Sequence, residues 1–330
     1  MNSCGDLKLD HPHPEVQDTA ACAVGGLPEG RMRQLGEVAI PSALCAEPKN
    51  GAFAPVGECI YCGQTKGKLT TEHILMYALG GNILLPKSSC ETCGKRTSKF
   101  EQFIARDMWG MARAALKYPT RNKHRIARGY PVIAQPKNTG AVKFLMPADK
   151  LPFMLAFPEL PLPGFFTGQT IDTFSAKAVQ CRPERFKPFG NQRVYIGALD
   201  LQIFSQFLAK TAHALARAQL GSTFQPLLLD VIAGSRGSAS DFIGTLRPEL
   251  EAEDATHHRM QLVPLESGGQ HYVGALIRLF AHFGAPEYVV VVGGTGDKIH
   301  PVFAENLRNL PPGAWRPPLF FPYGQGGGSA

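Results

Sequence analysis

The chain has 330 residues, of which 44% are hydrophobic and 18% charged, the balance of an ordinary soluble protein with one or two globular domains and real cores. No apolar run approaches the roughly 18 residues that a bilayer-spanning helix needs, which excludes a membrane-spanning class. Lys and Arg exceed Asp and Glu by seven, and the position of that excess along the chain says more than its size.

Residues 1–54 are expected to form a disordered tail. Pro, Gly and charged residues interrupt every period there, and Cys4, Cys22 and Cys45 lack a metal-like spacing. The opening, MNSCGDLKLDHPHPEVQD, carries acids and histidines rather than the basic-then-apolar layout of a secretion leader, so a cytoplasmic location is expected by default.

Two CxxC pairs follow, Cys59/Cys62 and Cys90/Cys93. Each short turn presents two sulfurs to one ion, and two such pairs suit a tetrahedral structural Zn²⁺. Two disulfides or four ordinary buried thiols are the alternatives. Between the pairs, Leu69 to Leu75 is β-branched and partly alternating, which predicts a strand. Leu79-Gly80-Gly81-Asn82 predicts a turn, and Ile83-Leu84-Leu85 a second strand ending at Pro86. A 3.6-residue period then predicts a helix over 97–118, ended by Pro119.

This order of strand, turn, strand and helix, clamped by two CxxC pairs around Glu72-His73, Gly80-Gly81 and Asn82, resembles the HNH nucleases and their ββα-metal motif. The resemblance covers about 45 residues and implies phosphodiester hydrolysis. By it, His73 is the general base, an imidazole that titrates near neutral pH. Glu72 is the ligand of a catalytic divalent ion, Mg²⁺ or Mn²⁺ for a hard oxygen donor. Asn82 braces the loop and orients the histidine. The family's third motif residue, a His or Asn after the second CxxC, is Gly94 here, which offers no ligand. Thr97, Ser98 and Glu101 share a helical face with it, and Glu101 is the expected substitute because a carboxylate suits a hard cation.

The charge excess sits just beyond. Ten Lys and Arg face only two acids between Lys95 and Arg128, so the remainder of the chain is nearly neutral. At 100° per residue, Lys95, Lys99, Arg106, Arg113 and Lys117 fall within about 40° of one another, opposite Phe100, Ile104, Met108, Met111 and Ala115. In HNH proteins this helix lies against the nucleic-acid backbone, so the stripe is expected to contact phosphates.

Beyond Tyr130 the pattern changes. Strands are expected at 142–145, 153–157, 194–197, 226–232, 260–265, 272–280 and 288–292, with one helix over 201–220 capped by Asp200 and ended by Gly221. Lys210, His213 and Arg217 share a face of that helix, where exposure is the ordinary expectation. Residues 310–330, with Trp315, Phe320, Phe321 and Tyr323, read as a Pro- and Gly-rich tail.

The expected fold class is α+β: a zinc-stapled ββα-metal (HNH) module at 55–128, then an α+β domain with a largely antiparallel sheet at 129–309. The expected function is metal-dependent hydrolysis of DNA phosphodiesters, with RNA and oligomeric state left open. A catalytically silent, zinc-stabilised nucleic-acid-binding module is the alternative because of Gly94, and a zinc-stabilised protein-interaction domain is a third class.

Overall fold

The computed structural model describes residues 51–120, 129–137, 139–169, 174–235, 239–247, 256–267, 270–294 and 319–322, all within one compact unit. Most of the expected tail at 1–54 and most of that at 310–330 lie outside these residues, as do Arg121, Lys123, Arg125 and Arg128. The described structure includes residues before 55: the Phe53 N–H donates to the Leu84 carbonyl at 2.9 Å, and the Phe53 side chain is buried.

The first layer is the antiparallel pair β1 (Leu69–His73) and β2 (Leu84–Cys90). β2 runs four residues past Pro86, where the sequence places its end. The register slips between Thr70 and Glu72, so Pro86 and its neighbours form a bulge, and a proline is tolerated there because a bulged residue owes the ladder no N–H. Lys87 takes a positive φ of 49° at this point. The bulge carbonyls turn outward to Val56, Gly57 and Ile60, whose N–H groups donate to Pro86, Lys87 and Ser88 at 3.0, 3.0 and 2.8 Å.

α1 (Glu91–Phe103) starts at the second cysteine pair, six residues before the periodicity suggests, because the Cys90 sulfur caps it by accepting from the Cys93 N–H. The expected continuous helix then breaks. Residues 104–108 form a π turn, the Trp109 N–H reaching the Ile104 carbonyl at 3.0 Å, before α2 (Gly110–Ala115) resumes. The wider turn delivers Trp109 into the core, with Phe280, Phe157, Phe204 and Phe207 around its ring at 4.9 to 6.5 Å.

Small antiparallel pieces follow: β3 (Tyr130–Gln135), β4 (Val142–Met146), β5 (Met154–Glu159), the short α3 (Gly164–Thr167), β6 (Ser175–Gln180) and β7 (Arg193–Tyr195). They pair as β4-β3-β7 and β5-β6. α4 (Leu201–Leu220) has the expected bounds, the Asp200 carboxylate accepting from the Ile203 N–H at 2.9 Å. The run at 226–232 is not a strand: β8 (Gln225–Pro226) gives way to α5 (Leu229–Ala233). Its buried Leu228, Val231 and Ile232 have helical spacing, and so short an apolar run fits either period.

β9 (Ile243–Arg247), β10 (Thr256–Ser267), β11 (Gln270–Leu279), β12 (Glu287–Gly294) and β13 (Leu319–Pro322) complete the main sheet, ordered β13-β10-β11-β12-β8 with β9 also on β12. Its pairs are all antiparallel, so the fold is α+β. Phe320 and Phe321, expected in a tail, belong to its edge strand. α4 packs between α1 and this sheet, so the helix of the second segment is part of the surroundings of the first. No helix among the described residues is long and apolar enough to cross a membrane.

Candidate active site

The Sγ atoms of Cys59, Cys62, Cys90 and Cys93 lie within 4.8 Å of one another, Cys62 and Cys90 at 3.7 Å. Sulfurs at about 2.3 Å from a tetrahedral Zn²⁺ stand roughly 3.8 Å apart, so the donor set fits a closed structural site. None of the four is in a disulfide, and their clustering suggests a structural zinc site. The sites are built locally: the Gly63 N–H returns to the Cys59 carbonyl at 2.8 Å in the first turn, and the start of α1 presents the second pair.

Next to this staple, the end of β1 delivers Glu72 and His73 to opposite faces, as a strand must. Glu72 is buried and His73 half-buried, its ring 5.9 Å from that of Tyr77. The turn beyond depends on its glycines. Gly80 has φ 81°, and a Cβ on Gly81 would stand 1.8 Å from the Leu75 carbonyl oxygen, closer than any side chain can be accommodated. Asn82 is exposed and does not line the cleft in which His73 sits.

That cleft encloses ≈ 490 Å³, with Glu72, His73, Ser98, Glu101, Arg106 and Arg113 in its wall. Glu101 is thus brought to Glu72, as the helical spacing suggests. A residue from the other half of the chain stands between them. The Lys210 ammonium, fully buried, lies 2.7 Å from Glu72 Oε1 and 2.8 Å from Glu101 Oε1, and donates to the His73 carbonyl at 2.6 Å. Burial alone would push this ammonium down, but Glu101 and Glu72 together hold it above the ordinary lysine range. Burial pushes the Glu101 carboxyl up while Lys210 pulls it down, and the net shift is upward.

This arrangement does not fit the divalent ion that the ββα resemblance implies. A Mg²⁺ sharing these carboxylate oxygens would sit about 4 Å from the ammonium, a repulsion of ~8 kcal/mol at an effective dielectric near 20. Gly94 adds no ligand: it lies in α1 with Ser89 Oγ 3.4 Å from where its Cβ would be.

The charged face of α4 is buried against the module instead of exposed. Besides Lys210, His213 donates from Nε2 to the Ile60 carbonyl at 2.7 Å, and burial holds its imidazole down at about 4, hence neutral. Arg217 pairs with Glu58. Sequence reasoning grouped these three residues but could not name their partners. A signal was present: α4 is apolar on nearly every side, and a charge on such a helix must be buried and paired.

The cationic stripe is only partly as expected. Lys95, Lys99, Arg106 and Lys117 are exposed, Lys95 pairing with Glu91 at 2.6 Å. Arg113 is withdrawn into structure, donating to the Ala78, Ala105 and Pro119 carbonyls at 2.5, 2.6 and 3.1 Å. Burial draws its guanidinium down to about 10. The π turn shifts the angular register after residue 103, and of the five cations only Arg106 and Arg113 reach the cleft.

Searches of curated proteins and of solved structures gave no match. Residues 59–108, from the first cysteine of the staple through the π turn, match the family model described as HNH endonuclease, and with their four clustered cysteines they form an HNH-type module within this chain.

Proposed function

We propose that this chain is an HNH-type nuclease that hydrolyses phosphodiester bonds of DNA, with the His73 imidazole as general base for the attacking water. The observation that carries this reading is the cleft, in which half-buried His73 shares a wall with the Arg106 guanidinium. Arg106 supplies positive charge where a phosphate would gather negative charge during attack. Lys95, Lys99 and Lys117 extend the cationic surface outside the cleft and hold the backbone without reading sequence. Arg113 shapes the wall through its three carbonyl partners. Asn82 serves the turn after His73 rather than the chemistry itself. The Zn²⁺ that the four cysteines of the staple fit would have a structural role.

A second reading has its own observations. Gly94 carries no ligand and Lys210 engages both carboxylates, which favours a catalytically silent module that binds nucleic acid. A plasmid-nicking assay separates the two, using zinc-loaded protein in metal-stripped buffer and then with Mg²⁺ or Mn²⁺, beside His73→Ala and DNA binding over a salt series. Cutting that disappears in His73→Ala while binding persists is the expected result. Binding without cutting under every condition gives the silent reading, and cutting indifferent to His73→Ala removes the assigned base.

A further inference from the structure

We infer that the Lys210 ammonium replaces a divalent cation between Glu72 and Glu101, so that this carboxylate pair neither needs nor accepts Mg²⁺ or Mn²⁺. This deepens the nuclease reading, on which only the cleavage arm of the test rests.

The ligands are those of a hard cation. Two carboxylate oxygens and a backbone carbonyl lie 2.6 to 2.8 Å from Nζ, with the Ile74 carbonyl at 3.5 Å. Carboxylates and carbonyls are the donors that Mg²⁺ and Ca²⁺ select, here converging on a nitrogen. An ammonium has three protons; one goes to the His73 carbonyl, and the two carboxylate oxygens stand at ion-pair distance from the same nitrogen. The side chain has no exposed surface, so it cannot also touch substrate.

The ammonium is held in place. Lys210 is in the middle of α4, whose next turns are fastened to the module by His213 on Ile60 and by Arg217 on Glu58. Moving Nζ out of the pair requires undocking the helix. Charge supports the same assignment: two carboxylates at the buried end of a cleft need a cation, and the fold supplies one permanently. By donating to the His73 carbonyl, Lys210 also fixes the backbone from which the imidazole enters the cleft. It is a positioning residue for His73.

The test is Mn²⁺ binding to the zinc-loaded full chain, followed by the electron paramagnetic resonance signal of the free aqua ion. Wild-type protein is expected to leave Mn²⁺ free at concentrations up to about 1 mM, whereas Lys210→Ala should gain one site at least about tenfold tighter. Glu101→Gln in the Lys210→Ala background should abolish that site. Mn²⁺ should also raise the thermal midpoint of Lys210→Ala and not that of wild type. If Lys210→Ala folds only when Mn²⁺ is present, the ion has taken the place of the ammonium and the inference stands; Lys210→Gln, which keeps a donor for the His73 carbonyl, gives a second folded background. One-to-one Mn²⁺ binding by wild type that Glu72→Gln removes would overturn the inference, as would a folded Lys210→Ala that binds no Mn²⁺. In the cleavage arm, cutting by wild type in metal-stripped buffer at the rate seen with Mg²⁺ is expected. Cutting that needs Mg²⁺ overturns the inference and leaves the nuclease reading intact, while no cutting at all removes that reading and leaves the Mn²⁺ result to decide.

Discussion

His258 sits on β10 with no exposed surface and both ring nitrogens committed. Nε2 donates to the Leu79 carbonyl at 2.9 Å, at the glycine turn beyond His73, and Nδ1 accepts from the Phe280 N–H at 3.0 Å. A second proton on the ring would face the Phe280 N–H, and the hydroxyl of Tyr118 and the ring of His257 also lie close to it. Burial, with His257 adding to it, therefore holds the imidazole well below its ordinary range. A depressed value means that the unfolded chain binds more protons below pH 6.5, so stability is full above that pH and is lost as pH falls. At pH 5.5 the unfolded histidine is about ten-elevenths protonated, which costs the fold ~1.4 kcal/mol relative to pH 7.5. His213, held down at about 4, and His257, held down at about 3, also by burial, act in the same direction, and the three together amount to ~4 kcal/mol, a large share of a typical stability. Urea unfolding at pH 7.5, 6.5 and 5.5 measures this. His258→Gln, which can still donate to Leu79, should be less stable at pH 7.5 by about 1–3 kcal/mol, and the gap to wild type should narrow by ~1.4 kcal/mol at pH 5.5. The upward-shifted Glu101 works in the opposite direction, but it is present in both proteins and cancels. Parallel curves for the two proteins would refute a neutral, Nε2-protonated His258.

Removing Zn²⁺ with a chelator, or replacing Cys93 by Ser, should unfold the module and lower the thermal midpoint, with one Zn²⁺ per chain released in a colorimetric assay. Trp109→Ala should cost about 3–5 kcal/mol in denaturant unfolding, because it empties a space lined by four phenylalanines and leaves the Ala156 carbonyl, now 3.2 Å from Nε1, without its donor. Arg106→Ala should weaken DNA binding and reduce the slope of log K against log salt by about one. Arg113→Ala should instead lower stability, since its guanidinium is spent on three backbone carbonyls.

What the sequence made legible was what is local. The cysteine pairs need only a CxxC turn each to aim their sulfurs, and α4 carries its own start and stop in Asp200 and Gly221, so both could be placed to the residue. The 97–118 helix was legible only as a period. Extrapolating 100° per residue assumes an unbroken helix, and nothing before residue 104 announces a π turn. The turn is selected by what it accomplishes afterwards, seating Trp109 among rings from β5, α4 and the end of β11. One widened turn was enough to move Arg113 from a phosphate stripe into a carbonyl cage.

Lys210 shows the same limit at the site itself. A charge on a helix that is apolar nearly all round is a demand for a partner, because an isolated buried ammonium would cost far more than the fold can sustain. The apolar make-up of α4 therefore signals that Lys210 needs a partner, although its charged face alone suggests exposure, whereas Glu72 follows two exposed threonines on β1 and gives no such signal. The sequence does not show that Lys210 and Glu72 satisfy each other across 138 residues, since that pairing exists only once α4 has docked between the module and the sheet. The docking contact and the site's cation are thus one interaction: the helix that completes the core of the second half also decides what neutralises the carboxylates of the first, and a change at Lys210 must register in both folding and metal binding.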